Sequence, residues 1–261
     1  MHTFLLPVKL VRAKQGRGRN SGAWAVWRGM LGPLKLAPLA RPEGMPTHEY
    51  AHRRLRQAIM VGSIRPGESL TIRGIAEAME SSPTPVREAL RRLSSEGALK
   101  VLDNRRIMVP KMTADRFGEL MALRAVLEQH GARRAVGHIT ERQIDRLAEI
   151  DRALDDAIAR KDKATALLLN QEFHRTLYTA NPDQMIMPMV ESVWLQLGPF
   201  LGIAMEHVAQ LYVVDRHQEA IAALRKRDED AVAAAIAADI LEGIGGFDRG
   251  AIENLLRLAG Q

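Results

Sequence analysis

The 261-residue chain has no cysteine. That removes disulfides and thiolate metal sites and fits a reducing compartment, so a cytoplasmic protein is expected. Aromatic residues make up only 4%, while alanine, leucine and isoleucine are plentiful, which favours helices over a β-rich fold. No apolar run reaches the roughly 18 residues that a membrane helix needs. Acidic side chains are missing altogether from the first 42 residues, which hold eight Lys or Arg.

That last absence belongs to a wider imbalance. The formal net charge is +6, yet residues 47–111 carry twelve basic and seven acidic side chains, and residues 112–261 carry seventeen and twenty-three. A basic module joined to an acidic one suits a DNA-binding head with a body that does something else. The length is enough for one or two domains with a full core.

Residues 1–45 show no sustained period, and their Lys9, Arg12, Lys14, Arg17, Arg19, Arg28, Lys35 and Arg41 stand among glycine and proline. Three readings remain open: a disordered basic extension, with Met45 or Met30 as an alternative start; an arm that touches DNA; or a targeting peptide. The domains expected are this extension, a head over 46–111 and a body over 112–261.

The head is organised around Thr71 to Val109. Ile72, Ile75, Ala76 and Met79 are spaced as one buried face of a short helix. Ser81 and Ser82 precede Pro83, an N-cap with proline in the first turn of a second helix. Val86, Leu90 and Leu93 form the inner stripe of that helix, and Gly97 is placed to stop it. Two short strands, Ala98 to Leu102 and Ile107 to Val109, then join through Asp103, Asn104, Arg105 and Arg106. Helix, turn, helix and basic hairpin make a winged helix, which lays its second helix in the major groove. Before it, a helix from Thr47 to Gly62 turns Tyr50, Leu55, Ile59 and Met60 to one side and exposes Arg53, Arg54 and Arg56 to DNA phosphates. A phosphate contact is also the sharpest role open to His48 and His52.

The run RGIAEAMESSPTPVREALRRLSSEGAL, from Arg73 to Leu99, resembles the DNA-binding half of GntR-superfamily bacterial regulators. Ile64-Arg65-Pro66-Gly67 is similar to a turn of the same head. The resemblance implies DNA contacts from Arg73, Ser82, Thr84, Arg87 and the wing tip Asn104-Arg105. Arg87 offers two donors to a guanine edge, and the hydroxyls suit phosphate oxygens. Two positions depart from the family pattern: Pro83 stands where Arg is frequent, and Glu80 where glycine is usual. A left-handed Glu80 costs about 1 kcal/mol relative to glycine. An isolated head makes few contacts, so a homodimer on a palindromic operator is expected.

After Lys111 no strand signal appears. Three-to-four spacing marks helices over 113–136, 140–159, 163–180, 183–203, 208–227, 228–241 and 247–258, with a capping box at Thr140 and Gln143. Pro188 and Pro199 are expected to kink or split the fourth. The fold class is therefore mainly α: a winged helix-turn-helix with a two-stranded wing, then an antiparallel bundle of six to seven helices.

Within the body, Asn170 and His174 share one helix face, and His217 and Asp239 lie on later helices. Alone, such residues read as hydrogen-bonded pairs. Their order resembles the FCD-type effector domain of the FadR subfamily of GntR regulators, many of which hold a divalent metal. The resemblance implies a metal site of Asn170, His174, His217 and Asp239, with aspartate in place of the usual histidine. Such a mixed N/O set suits Zn, Mn, Ni or Fe. It also implies that Arg124 binds an organic acid, where the plain alternative is a surface pair with Glu128. His130, His138 and His207 read as solvated. The function expected is a ligand-responsive repressor that binds a small carboxylic or sugar acid. A metal-dependent helical-bundle enzyme and an architectural DNA binder without effector are the rivals. Against the enzyme stands the lack of any H-E-x-x-H or E-x-x-H pair in the helical body, 112–261.

Overall fold

The computed structural model describes residues 36, 39–102, 106–207, 216–243 and 246–258, all within one compact unit that spans 35–261. Most of the basic N-terminal segment and the wing-tip residues Asn104 and Arg105 lie outside the described residues.

Helix α1, Thr47–Met60, opens the head and buries Leu55 and Ile59. Strand β1, Ser69–Leu70, leads to α2, Ile72–Ala78, whose first turn is capped by the Thr71 hydroxyl accepting from Gly74 N–H at 3.0 Å. Glu80 then takes the left-handed conformation that its position demands, at φ 51°. Helix α3, Pro83–Ser95, follows with Ser82 at the N-cap and Val86, Ala89, Leu90 and Leu93 turned inward. Its stop is Gly97, at φ 77°, where Ala98 N–H reaches back to the Leu93 carbonyl at 3.0 Å.

Strands β2, Lys100–Val101, and β3, Ile107–Met108, form the wing. The sheet has three strands rather than two, in antiparallel order β1-β3-β2 with Leu70 opposite Ile107 and Val101 opposite Ile107. Two residues between a turn glycine and an N-cap carry no period, so β1 is invisible to pattern reading.

The body contains α4, Ala114–Ala135; α5, Glu141–Ala159; α6, Lys163–Tyr178; α7, Met187–His207; α8, His217–Arg225; α9, Glu229–Glu242; and α10, Arg249–Leu258. Side chains of Thr113, Thr140, Asp162 and Asp228 cap the starts of α4, α5, α6 and α9, and Thr140 with Gln143 completes the expected capping box. Helix α4 packs along α9, and α5 lies against α6 and α8. Helix α7 departs from expectation, since it starts at Met187 and runs through Pro199 without splitting. Pro188 falls in its first turn, where no intrahelical N–H is lost. Helix α8 starts at His217 rather than near 208, and residues 208–215 lie outside the described residues.

Head and body meet where α1 packs on α7. Backbone lies almost on backbone there: a Cβ on Gly62 would sit 2.4 Å from Gly202 Cα, and one on Gly198 would sit 2.5 Å from the Ile59 carbonyl. Around this seam Arg56 donates to Glu191 at 2.7 Å, Ser192 to the Glu96 carbonyl at 2.8 Å, and Arg116 to Gln196 at 2.7 Å. This corrects two expectations. Arg56 is turned to the body rather than to DNA, and His52 is buried against Glu96 at 2.9 Å.

Gly62 combines a positive φ of 70° with the seam contact, whereas Gly44 has φ 75° and nothing near its Cβ position. Replacing each by alanine separates strain from contact. Chemical denaturation is expected to show Gly44→Ala costing about 1 kcal/mol and Gly62→Ala roughly 2 kcal/mol more, from overpacking.

Candidate metal centre and DNA-reading face

Three of the four candidate ligands come together. His174 from α6, His217 from the start of α8 and Asp239 from α9 each offer a donor atom within 4.8 Å of the others. His174 Nε2 lies 3.2 Å from Asp239 Oδ2, and His217 Nε2 lies 3.8 Å from Asp239 Oδ1. Asn170 is buried one turn before His174 on α6.

The other nitrogen of each imidazole is already held. His217 Nδ1 faces Asp151 Oδ1 at 2.9 Å, and Gln218 donates to the second Asp151 oxygen. His174 Nδ1 lies 2.9 Å from the Tyr178 hydroxyl, which itself donates to Glu128 Oε2 at 2.7 Å. A hydroxyl whose proton goes to a carboxylate can only accept from the ring, and an ionised carboxylate can only accept. Both imidazoles therefore carry a proton on Nδ1 and turn Nε2 toward Asp239. His174 Nε2 is completely buried and has no hydrogen bond of sound geometry, despite its proximity to Asp239. Phe173 stacks on the His217 ring at 3.8 Å and holds its plane.

Arg124 is buried, and its Nε donates to Glu128 Oε1 at 2.6 Å. The pair exists as the plain alternative supposed, but in the interior rather than on the surface. Trp194 Nε1 donates to the same Glu128 oxygen at 2.8 Å. Burial pushes the Glu128 carboxyl up, but Arg124, His174 and the hydrogen bonds from Arg124 and Tyr178 outweigh it and bring it below the ordinary range. Burial opposes ionisation of Asp239 too, and His174, His217 and Arg124 overcome it, holding this carboxyl well below the usual range. Arg124 thus faces both the Glu128 end and the Asp239 end of the cluster.

Sequence reasoning missed Asp151, Tyr178 and Trp194, and gave Glu128 only a surface role. A signal for Asp151 was present: it falls among Leu147, Ile150 and Leu154, a charge inside an apolar stripe. Glu172 lies two residues from both Asn170 and His174 on α6, a spacing that turns it to another face, and it is exposed. His130 and His138 are exposed.

On the head, Arg73, Ser82, Thr84 and Arg87 are all exposed. Arg73 pairs with Glu77 at 2.9 Å, while Arg87 makes no ion pair among the described residues. Ser82 is the N-cap of α3, yet its hydroxyl caps no helix N–H. Ser82 and Thr84 share an open depression with Thr47 and His48, at the start of α1. Asn104 and Arg105 fall outside the described residues.

Lowered Glu128 sets a pH dependence. A carboxyl whose folded pKa is depressed contributes its stability above the unfolded value, about 4.3 for glutamate, and loses it as pH falls through the folded value. Glu128→Gln is expected to cost about 3–5 kcal/mol at neutral pH, because Arg124 is left buried and unpaired. In urea titrations that difference should shrink steadily below pH 4.

Comparison with known proteins fits this architecture. The profile of bacterial regulatory proteins of the gntR family matches residues 47–109, and that of the FCD domain matches residues 119–242. The HTH-type transcriptional regulator McbR of Escherichia coli (strain K12) is 28% identical over 179 residues, 67% of this chain and 81% of that protein. The HTH-type transcriptional repressor RspR of the same strain is 28% identical over 198 residues, 76% and 87%. Among solved structures, E. coli McbR/YncC has a TM-score of 0.72 at 24% identity and covers 83% of this chain and 100% of that one. A GntR regulator from Rhodococcus sp. RHA1 has a TM-score of 0.62 at 24% identity, with 80% and 97% covered. These relatives are regulators and not enzymes, so the enzyme reading falls. The chain belongs to the GntR family of bacterial transcriptional regulators, with a winged-helix head followed by an FCD domain.

Proposed function

We propose that the body, residues 112–261, binds a divalent metal through His174, His217, Asp239 and Asn170 and a small carboxylic or sugar acid through Arg124. Its occupant sets the affinity of the head, residues 46–111, for a palindromic operator. One observation carries this reading. The interior cluster contains three carboxylates, Glu128, Asp151 and Asp239, against one guanidinium, Arg124. Once both imidazoles give a bare Nε2 to a metal, three carboxylates against one guanidinium leave two negative charges, which a divalent cation balances. The bare Nε2 of His174 points the same way.

When bound, the metal supplies a Lewis-acidic centre for the oxygens of the acid. The protein's own groups do the rest: Asp151 and Tyr178 hold the imidazoles in the coordinating tautomer, and Arg124 recognises the carboxylate. Two imidazoles with oxygen donors suit Zn, Mn, Ni or Fe. On the DNA side, Arg87 reads a guanine edge. Arg73, Ser82, Thr84 and the wing tip Asn104-Arg105 place the head on the backbone.

The protein acts in the cytoplasm as a homodimer, each head taking one half-site. Leu123 and Val126, one turn apart on the outer face of α4 and 48% and 67% exposed, support a second copy seated there. Relief of repression on ligand binding is the sense proposed, supported by the repressor RspR among the relatives.

Thermal melting of chelator-stripped protein with Zn, Mn and Ni salts, then with small carboxylates, tests the sensor. A ligand of the folded state raises Tm as its concentration passes Kd. The shift should vanish in His174→Ala and need about 10- to 100-fold more metal in Asp151→Asn. Silence from every metal would remove the site, and silence from every acid as well would favour the architectural binder. For the head, selection of bound DNA from a random pool, followed by titration, should show Arg87→Ala costing about 1–3 kcal/mol and relaxing the preference at one base.

A further inference from the structure

One helix of the body touches both the buried cluster and the head. On α7, Trp194 is 3% exposed and donates its indole N–H to Glu128 Oε1, the oxygen that also receives Arg124. One turn earlier, Glu191 accepts from Arg56 of the head at 2.7 Å and from Arg175 of α6. The Arg175 guanidinium lies 5.7 Å from the Trp194 ring centre, so it links indole and head pair. Further along α7, Gly198 and Gly202 rest on the head backbone at Ile59, Met60 and Gly62.

We propose that Trp194 is the positioning residue through which occupancy of Arg124 is read by the head. This rests on the effector reading above. An acid that binds the Arg124 guanidinium shares its charge and weakens its hold on Glu128 Oε1. A buried carboxylate does not stay short of donors, so Glu128 moves toward Trp194 and Tyr178, its other two partners. A helix does not compress along its axis, and α7 moves with its indole. At Gly198 and Gly202 the backbone of α7 meets the head backbone directly, with no side chain of those two residues between them to absorb that movement. Close-packed contacts of this kind switch between arrangements rather than stretch.

The test is a mutant cycle without metal or acid, so it stands apart from the melting experiment that tests the sensor. Arg124→Ala takes the guanidinium from Glu128, as a bound acid would in part. Trp194→Phe keeps an aromatic ring and deletes the N–H. Amide hydrogen exchange is read at residues 57–64, on the head side of the seam, and at residues 141–150 of α5 as a reference for global opening. Arg124→Ala is expected to change exchange at 57–64 by about tenfold relative to the reference, within the usual range of allosteric coupling. On the Trp194→Phe background the same substitution should change it less than twofold. Additive effects, or a change confined to the body, would overturn the proposal. Should Arg124→Ala not fold, Arg124→Lys, which keeps the charge but shortens the reach and loses Nε, serves in the same cycle with the same two outcomes. A structural role for Trp194 alone would alter the reference and the seam together and leave the cycle additive.

Discussion

A carboxylate cut off from water must find its hydrogen bonds inside the protein, and Glu128 draws them from three helices. Arg124 comes from its own helix α4, Tyr178 from α6 and Trp194 from α7. Removing one donor leaves a buried charge short, at a cost well above that of a surface pair. The three helices are therefore held as a set, and the consequences run outward. Tyr178 can accept from His174 only because its own proton goes to Glu128. The orientation of one metal-competent imidazole is thus set by a carboxylate that does not itself belong to the donor cluster.

The head is attached on different terms. Its polar links to the body, Arg56 to Glu191 and Ser192 to the Glu96 carbonyl, are part-buried, and desolvation offsets much of the attraction of the ion pair. What they and the glycine seam supply is geometry. Gly62, Gly198 and Gly202 let two backbones approach to a distance that no side chain permits, so the contact is sharply specific without being large. A joint built this way suits a regulator, whose head must be held in one orientation and still be movable by a few kcal/mol. A broad apolar interface would make the head rigid; a free linker would leave it deaf.

Much of this was legible in the sequence where local rules and burial agree. The stripe Val86, Leu90, Leu93 and the stop at Gly97 delivered α3, and the turn position of Glu80 delivered its left-handed backbone. Three-to-four spacing placed most of the bundle, and the capping box at Thr140 and Gln143 fixed the start of α5. Reading failed where a residue's partner is distant in sequence. Arg56 and His52 look like any basic face of a helix, and only the arrival of α7 decides that they look inward. The pair Arg124 and Glu128 has the spacing of a surface pair, and only the packing of α6, α7 and α9 around it makes it an interior one. Pro199 failed for another reason, since neighbouring helices keep α7 in line despite one lost hydrogen bond. The cluster itself was reachable through family resemblance, because residues 43 and 22 positions apart carry no local signal of meeting.

Asp239 bears on how metal and acid relate in the proposed sensor. It lies between the two imidazoles, accepts from the Arg216 backbone N–H at the start of α8 at 3.4 Å, and feels the charge of Arg124. A metal held by His174, His217 and Asp239 would join α6, α8 and α9 at one centre and would neutralise the carboxylate that Arg124 faces. Part of the guanidinium's field would then be released toward an incoming acid, so in the proposed sensor the metal would strengthen acid binding even before the two touch. Thermodynamic reciprocity requires the acid to strengthen metal binding by the same factor. The opposing effect is Glu128, which competes for the same guanidinium and keeps the acid-free state from collapsing onto a lone cation. A sensor of this construction responds to the two ligands jointly, because the charges that each must satisfy are neighbours in one buried chain.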